Sequence, residues 1–321
     1  MSEIPFYDTV IIGGGPGGLT AGIYAMRAAM KTVLIEKTAS GGQMNLSDSV
    51  ENWPGEEHIS GMDLSNKFLE HAKSYGLPII SGEVTAIDPS LSFHTVRLAD
   101  GTAVNCHAVI LATGGSPRQL GILGENKYYG NGVSYCAVCD GFFFTDRTVV
   151  VVGGGDSAVE ESLYLAKLAK KVYLAHRRDE LRAGRLLQQR LQKECKIEVL
   201  WNTVLTAIEA DADGVCSIDM KDTKAGGASK LATDGVFIFI GFEPNNGLVP
   251  AGVKTSREGY VITNDKCESS IPGIFAIGDL REKAIRQIIT AAADGCIASL
   301  SAAHFVETQK VGKDACELTV V

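Results

Sequence analysis

No run of apolar residues in this 321-residue chain approaches the roughly 20 needed to span a bilayer, and no basic stretch leads into an apolar one near its start. Neither a membrane span nor a secretory leader is therefore expected, and the expected location is the cytoplasm. Lysine and arginine are nowhere gathered into a stripe, and the formal net charge is -8. Phosphate neutralisation needs concentrated cations, so nucleic acid and anionic membrane are excluded as main partners. A secreted disulfide framework is also missing: of eight cysteines, six stand singly, at Cys106, Cys195, Cys216, Cys267, Cys296 and Cys316. Each of those six reads as a small buried hydrophobe.

What is present is an ordinary globular composition, 45% apolar and 21% charged, long enough for two cores. Only nine prolines accompany 36 glycines, which points to many tight turns rather than low complexity. The glycines are not scattered. Residues 9–36 read as an apolar strand, a G-x-G-x-x-G turn at Gly13, Gly15 and Gly18, a helical stretch, and a second strand ending in Glu36. Glycines there let backbone approach a pyrophosphate at a helix N-terminus, and an acid at the second strand's end accepts hydrogen bonds from a ribose diol.

Residues 149–176 repeat the arrangement 140 residues on, with Gly153, Gly155 and Ala158 at the small positions; Tyr24 matches Tyr164, Lys31 matches Lys171 and Leu34 matches Leu174. Two dinucleotide sites are expected, and they differ at one telling place. Where the first copy has Glu36, the second has His176, then Arg177, Arg178 and, further on, Arg182 in HRRDELRA. A carboxylate repels a 2′-phosphate, whereas guanidinium groups pair with one through charge-assisted hydrogen bonds. The first site should hold FAD or NAD, the second NADP.

Two strands that end in glycine and proline, VILATGGSPR and VFIFIGFEPN, read as crossings between domains. The predicted architecture is α/β: two Rossmann-like, three-layer dinucleotide-binding domains. One is discontinuous (1–117 and 246–321) and the other (118–245) is inserted in it. The C-terminal segment adds a strand ending at Gly278 and Asp279, and a small-residue helix over 285–299. An acid at a strand end suits a polyol, and a helix start near Arg286 and Gln287 presents backbone N–H groups.

The remaining two cysteines form the motif YCAVCDG, with Cys136 and Cys139 three apart. Structural zinc takes four ligands, one such pair supplies two, and no second pair exists, so no metal is expected. A crosslink over so short a loop adds little stability and is disfavoured in a reducing compartment. A working redox couple is the reading that remains.

With the paired glycine turns, CAVCDG, GGGDSAVEE, HRRDELRA and GDLREKAIRQ in this order, the whole chain resembles the low-molecular-weight, bacterial-type thioredoxin reductases, class II of the pyridine nucleotide-disulfide oxidoreductases. The resemblance implies FAD in the outer domain, contacted by Gly13, Gly15, Pro16, Glu36, Gly42, Gln43, Asn52, Gly278, Asp279, Arg286 and Gln287. It implies NADPH in the inserted domain, at Gly153, Gly155, Ser157, His176, Arg177, Arg178 and Arg182. It further implies Cys139 facing the flavin, Cys136 attacking the partner disulfide, Asp140 as acid and base, thioredoxin or a small redoxin as partner, a homodimer, and domain rotation between half-reactions. Two departures are Leu181, where an aromatic is frequent, and the REKAI loop between the Gly-Asp and Arg-Gln pairs.

Overall fold

A strand buried on both faces is apolar almost throughout, and the runs VII, VVVV and VFIF fold within such strands. The computed structural model describes residues 4–47, 50–212 and 214–317, excepting the side chains of residue 46 and of 312–317. The chain separates into two compact units, Met1–Ser116 with Glu243–Val321, and Pro117–Phe242.

The first unit begins β1 (Phe6–Ile12), α1 (Pro16–Arg27), β2 (Thr32–Glu36), α2 (Gly61–Ser74), β3 (Ile79–Ser81), β4 (Val84–Asp88), β5 (His94–Leu98), β6 (Ala103–Leu111) and β7 (Gly115–Pro117). The second runs through β8 (Val133–Ser134), α3 (Ala137–Asp140), β9 (Thr148–Gly153), α4 (Asp156–Leu165), β10 (Lys171–Ala175), α5 (Arg185–Lys193), β11 (Ile197–Leu200), β12 (Thr203–Asp211), β13 (Gly214–Asp222), β14 (Ala228–Ala232) and β15 (Gly235–Phe239). The chain returns through β16 (Phe242–Pro244) to β17 (Ile274–Ala276) and α6 (Ile288–Glu317). The crossings β7 and β16 pair with each other as a two-stranded sheet.

In the first unit the sheet order is β3-β2-β1-β6-β5-β4, with β17 also pairing β6 in parallel. Successive residues face opposite cores: Ile11, Leu34, Ile110 and Phe275 meet Leu19 of α1 and Ala298 of α6, while Val10, Val33, Val109 and Ile274 face Val261 and Leu280. In the second unit the sheet β11-β10-β9-β15-β8 is parallel throughout. Val149, Val151 and Leu174 pack on Val159, Leu165 and Leu191 of the helices. Val150, Val152 and Ile238 pack on Leu205, Ile218 and Met220 of the antiparallel β12-β13-β14 sheet. That unit is three layers: helices, parallel sheet, antiparallel sheet.

The internal repeat survives as geometry, since α4 begins at Asp156, 140 residues after α1 at Pro16, each following a parallel strand. One element departs from expectation. The helix predicted over 285–299 runs Ile288–Glu317, and its stretch Ile288–Val311 is long and apolar enough to cross a membrane by length and composition, contrary to the sequence reading. Small and polar residues interrupt its apolar ones throughout, so it does not read as an apolar run. In the fold those small residues let α6 lie against α1: a Cβ on Gly295 would fall 2.3 Å from the Gly17 carbonyl oxygen, and one on Gly17 would fall 3.1 Å from that of Ala291.

Candidate active site

At the first glycine turn, Gly13 has φ +107°, and a Cβ there would lie 2.4 Å from the Ala112 oxygen, so only glycine fits. Around Gly15 a Cβ would meet nothing within 4 Å. Gly15 is the N-cap of α1 and offers no side-chain cap, so the first-turn N–H groups have no partner within the helix and border open space. Glu36 stands beside them. Its Oε2 accepts the Gly14 N–H at 2.6 Å, and its Oε1 accepts the backbone N–H and hydroxyl of Thr38 at 2.9 and 3.0 Å. The carboxylate thus also shapes the turn.

Other candidate residues of this unit converge from far apart in sequence. Asn52 donates to Gln287 Oε1 at 3.2 Å, and Gln43 donates to the Gly115 carbonyl at 3.1 Å. Gly42 and Gly278 both take positive φ, +59° and +65°. Arg286 lies over the Tyr260 ring, 4.3 Å from its centroid. Asp279 is largely buried and its Oδ1 has no hydrogen-bond partner. Burial pushes this carboxyl above the usual range, Lys283 and Arg286 pull it back, and Asp294 adds to the rise.

Sequence reasoning missed Asp294. From α6 it accepts the Gly278 N–H at 3.0 Å, Arg281 at 2.9 Å and Lys283 at 3.0 Å, and so ties the REKAI loop to the helix. A lone acid in the small-residue run AAADGCIAS was the available signal, because a charge amid residues that pack a core needs a partner.

At the second turn, a Cβ on Gly153 would lie 2.5 Å from both Ala158 Cβ and the Phe239 oxygen, while Gly155 again faces open space at an uncapped helix start. Ser157 is exposed on the first turn of α4. The HRRDELRA segment folds back on this turn: the N–H groups of Arg182 and Ala183 reach the Gly154 oxygen at 2.7 and 3.2 Å, and Asp156 accepts the Gly184 N–H at 2.7 Å. Arg177, Arg178 and Arg182 are exposed, and no ion pair to another described residue engages them. His176 is different. It is 5% exposed, with Nδ1 2.7 Å from the Gly153 oxygen and Nε2 2.9 Å from that of Glu180, so both ring nitrogens face backbone beneath the turn. Leu181 is buried among Val159, Leu165 and Leu191.

Cys136 and Cys139 form a disulfide with Cα atoms 5.3 Å apart, at the start of the one-turn helix α3. The Cys139 N–H points at Cys136 Sγ, 3.2 Å away. Asp140 closes the turn, its Oδ2 2.5 Å from the Ser134 hydroxyl. Val138, Phe142 and Phe143 are exposed beside the pair.

The single cysteines divide. Cys106 and Cys267 are buried, and burial pushes their thiols up to about 12 and about 11. Cys195 corrects the expectation of a buried hydrophobe, since it is exposed in the turn after α5; Cys216 and Cys296 are half-buried, and Cys316 lies outside the described side chains.

A profile of the pyridine nucleotide-disulphide oxidoreductase family matches residues 7–295. The chain is 46% identical to the thioredoxin reductase of Bacillus subtilis (strain 168), over 96% of this chain and 97% of that one. It is 45% identical to the thioredoxin reductase of Treponema pallidum (strain Nichols), over 94% and 98%. Among solved structures, thioredoxin reductase from Streptococcus pyogenes MGAS5005 superposes with a TM-score of 0.92 at 44% identity, covering 95% of this chain and all of the other. The Lactococcus lactis thioredoxin reductase in its FR conformation is also 44% identical, covers 94% and 99%, and has a TM-score of 0.64.

Proposed function

This chain belongs to the pyridine nucleotide-disulphide oxidoreductase family, and on that premise we propose that it is an NADPH-dependent reductase of thioredoxin, carrying FAD in the first unit and taking NADPH in the second. The observation that carries the reading is the placement, in one compact unit, of a Cys136–Cys139 disulfide and a glycine turn flanked by three exposed arginines.

The residues suit both nucleotides. Open space above Gly15, uncapped amides at α1, the Glu36 carboxylate and the unpartnered Asp279 Oδ1 fit a pyrophosphate, a ribose diol and a further hydroxyl. At Gly155 the same cradle recurs, and Arg177, Arg178 and Arg182 supply the charge a 2′-phosphate needs. His176 supports the turn from below. Bound FAD supplies two-electron transfer between a dihydronicotinamide and a disulfide.

The Cys139 N–H is aimed at Cys136 Sγ in the disulfide and, kept there on reduction, would favour negative charge on that sulfur, which supports Cys136 as the attacking thiolate and Cys139 as the flavin-side sulfur. Asp140 exchanges the proton. Exposed Val138, Phe142 and Phe143 give a redoxin an apolar surface to meet. We place the enzyme in the cytoplasm, as a homodimer.

The nicotinamide and the disulfide belong to the same unit, yet both need the flavin of the other. One fixed arrangement makes them compete, so the units rotate about the paired crossings at 113–118 and 241–246. That the Lactococcus lactis relative is described in a named FR conformation supports more than one arrangement within the family. A crosslink between the units is expected to leave one half-reaction intact and to stop turnover; undiminished turnover in the locked protein defeats the rotation.

The overall reading is tested by anaerobic titration. NADPH should bleach the flavin at far lower concentration than NADH, and oxidised thioredoxin should restore the colour. No bleaching by either nucleotide would refute the NADPH site and favour a ferredoxin-type donor.

A further inference from the structure

Ser134 lies on β8, 2% exposed and two residues before Cys136. Its Oγ accepts the Cys136 N–H at 3.0 Å and stands 2.5 Å from Asp140 Oδ2. The Cys136 carbonyl, at 3.3 Å, is the more distant acceptor, and a carboxylate accepts more strongly, so the hydroxyl proton goes to Asp140. One hydroxyl therefore joins the backbone of the first sulfur's residue to the acid at the other end of the motif.

The segment carrying Ser134 is itself anchored. Tyr135, the next residue, donates to Glu125 Oε1 at 2.7 Å, and Glu125, 1% exposed, also takes the N–H groups of Leu120, Gly121 and Ile122 at 2.7, 2.6 and 3.3 Å. The Tyr129 ring meets that of Tyr135 edge-on at 5.2 Å. So many contacts on residues that touch neither sulfur make sense if the site needs a fixed carboxylate.

We propose that Ser134 is a positioning residue of the redox pair: it holds the Asp140 carboxylate in register with Cys136, so that Asp140 can move the proton of the exchange. The proposal rests on the role given to Asp140 above and extends it to a residue outside the motif. In the exchange, the Cys136 thiolate attacks one sulfur of the partner disulfide, forming a mixed disulfide and expelling one thiolate. Cys139 then attacks Cys136 Sγ, the mixed disulfide breaks, the second thiolate leaves, and the Cys136–Cys139 bond forms. Two electrons pass to the partner, and its departing thiolates take up two protons, the one Cys136 released on ionising and that of Cys139, the latter by way of Asp140.

The test follows the reduced holoenzyme, freed of excess reductant, as it is oxidised by glutathione disulfide. This alkyl disulfide's leaving thiolates take up protons near neutral pH. Acid quenching and mass analysis report the Cys136–Cys139 bond, and the Cys136→Ser/Cys139→Ser protein gives the blank. Ser134→Ala is expected to be slower by about tenfold, the size of a lost hydrogen bond to a charged group. Asp140→Asn should lose at least as much, and the double variant should be no slower than Asp140→Asn alone, because Ser134 acts through that carboxylate. A Ser134→Ala rate equal to wild type, or losses that multiply in the double variant, would overturn the proposal. A wild-type rate for Asp140→Asn would defeat the role of Asp140 first, and this proposal with it.

Discussion

Replacing either Cys136 or Cys139 by serine is expected to lower the rate of thioredoxin reduction by about a thousandfold or more, while NADPH still bleaches the flavin. A serine hydroxyl can neither accept an electron pair as a disulfide does nor attack one at neutral pH. Neither the two buried cysteines nor the exposed one offers a substitute relay. Cys106 and Cys267 are buried with thiols pushed up to about 12 and about 11, far from the thiolate that exchange requires. Cys195 is exposed, but it stands in the turn after α5, without a second cysteine three residues away. Separating the half-reactions makes the result specific: rapid flavin reduction followed by no transfer isolates the loss to the pair. Thioredoxin turnover within a few-fold of wild type in either variant would remove the disulfide from the electron path.

The second large effect concerns the donor. The Arg177→Ala/Arg178→Ala variant is expected to lose about a hundredfold or more in kcat/KM for NADPH, chiefly through KM, and little for NADH. Each guanidinium is exposed and engages no carboxylate among the described residues, so its hydrogen-bonding capacity is open to a 2′-phosphate. Asp179, the nearest acid in sequence, is held by Lys224 at 2.6 Å and is drawn below its usual range by that partner. It competes little for the arginines. Equal losses with NADPH and NADH would show that the cluster serves the fold or the shared part of the nucleotide.

Much of this site is legible along the chain because its signals are local. A glycine turn between a strand and a helix is set by adjacent residues, and its recurrence 140 positions later is plain in the order of residues alone. The contrast between Glu36 and its counterpart His176, which Arg177 and Arg178 follow at once, is likewise a matter of local charge. Other features escaped. The pairing of Asn52 with Gln287 joins residues far apart in the chain, and no spacing announces it. Asp294 matters only because α6 carries it beneath the Gly278 turn, where two cations of the REKAI loop converge on it. His176 is a neighbour of the arginines in sequence, yet its ring turns inward to two carbonyls while theirs stay in solvent. Ser134 looks like any serine at a strand end until its hydroxyl is seen between Cys136 and Asp140.

The sequence by itself determined the chemical inventory: two nucleotide-type turns, a choice of phosphate made by charge, and one cysteine pair spaced for exchange. These depend on residue identity and short spacing, which are readable in one dimension. The tertiary structure alone decided how that inventory is held. It made the alanine-rich stretch around Gly295 part of a helix that fits closely against α1, left Asp279 with an unpartnered oxygen, and brought a distant carboxylate and a nearby hydroxyl to bear on the candidate residues. A buried polar group must find its partners among whatever the fold brings within hydrogen-bond reach, and that neighbourhood is a property of packing, not of order along the chain.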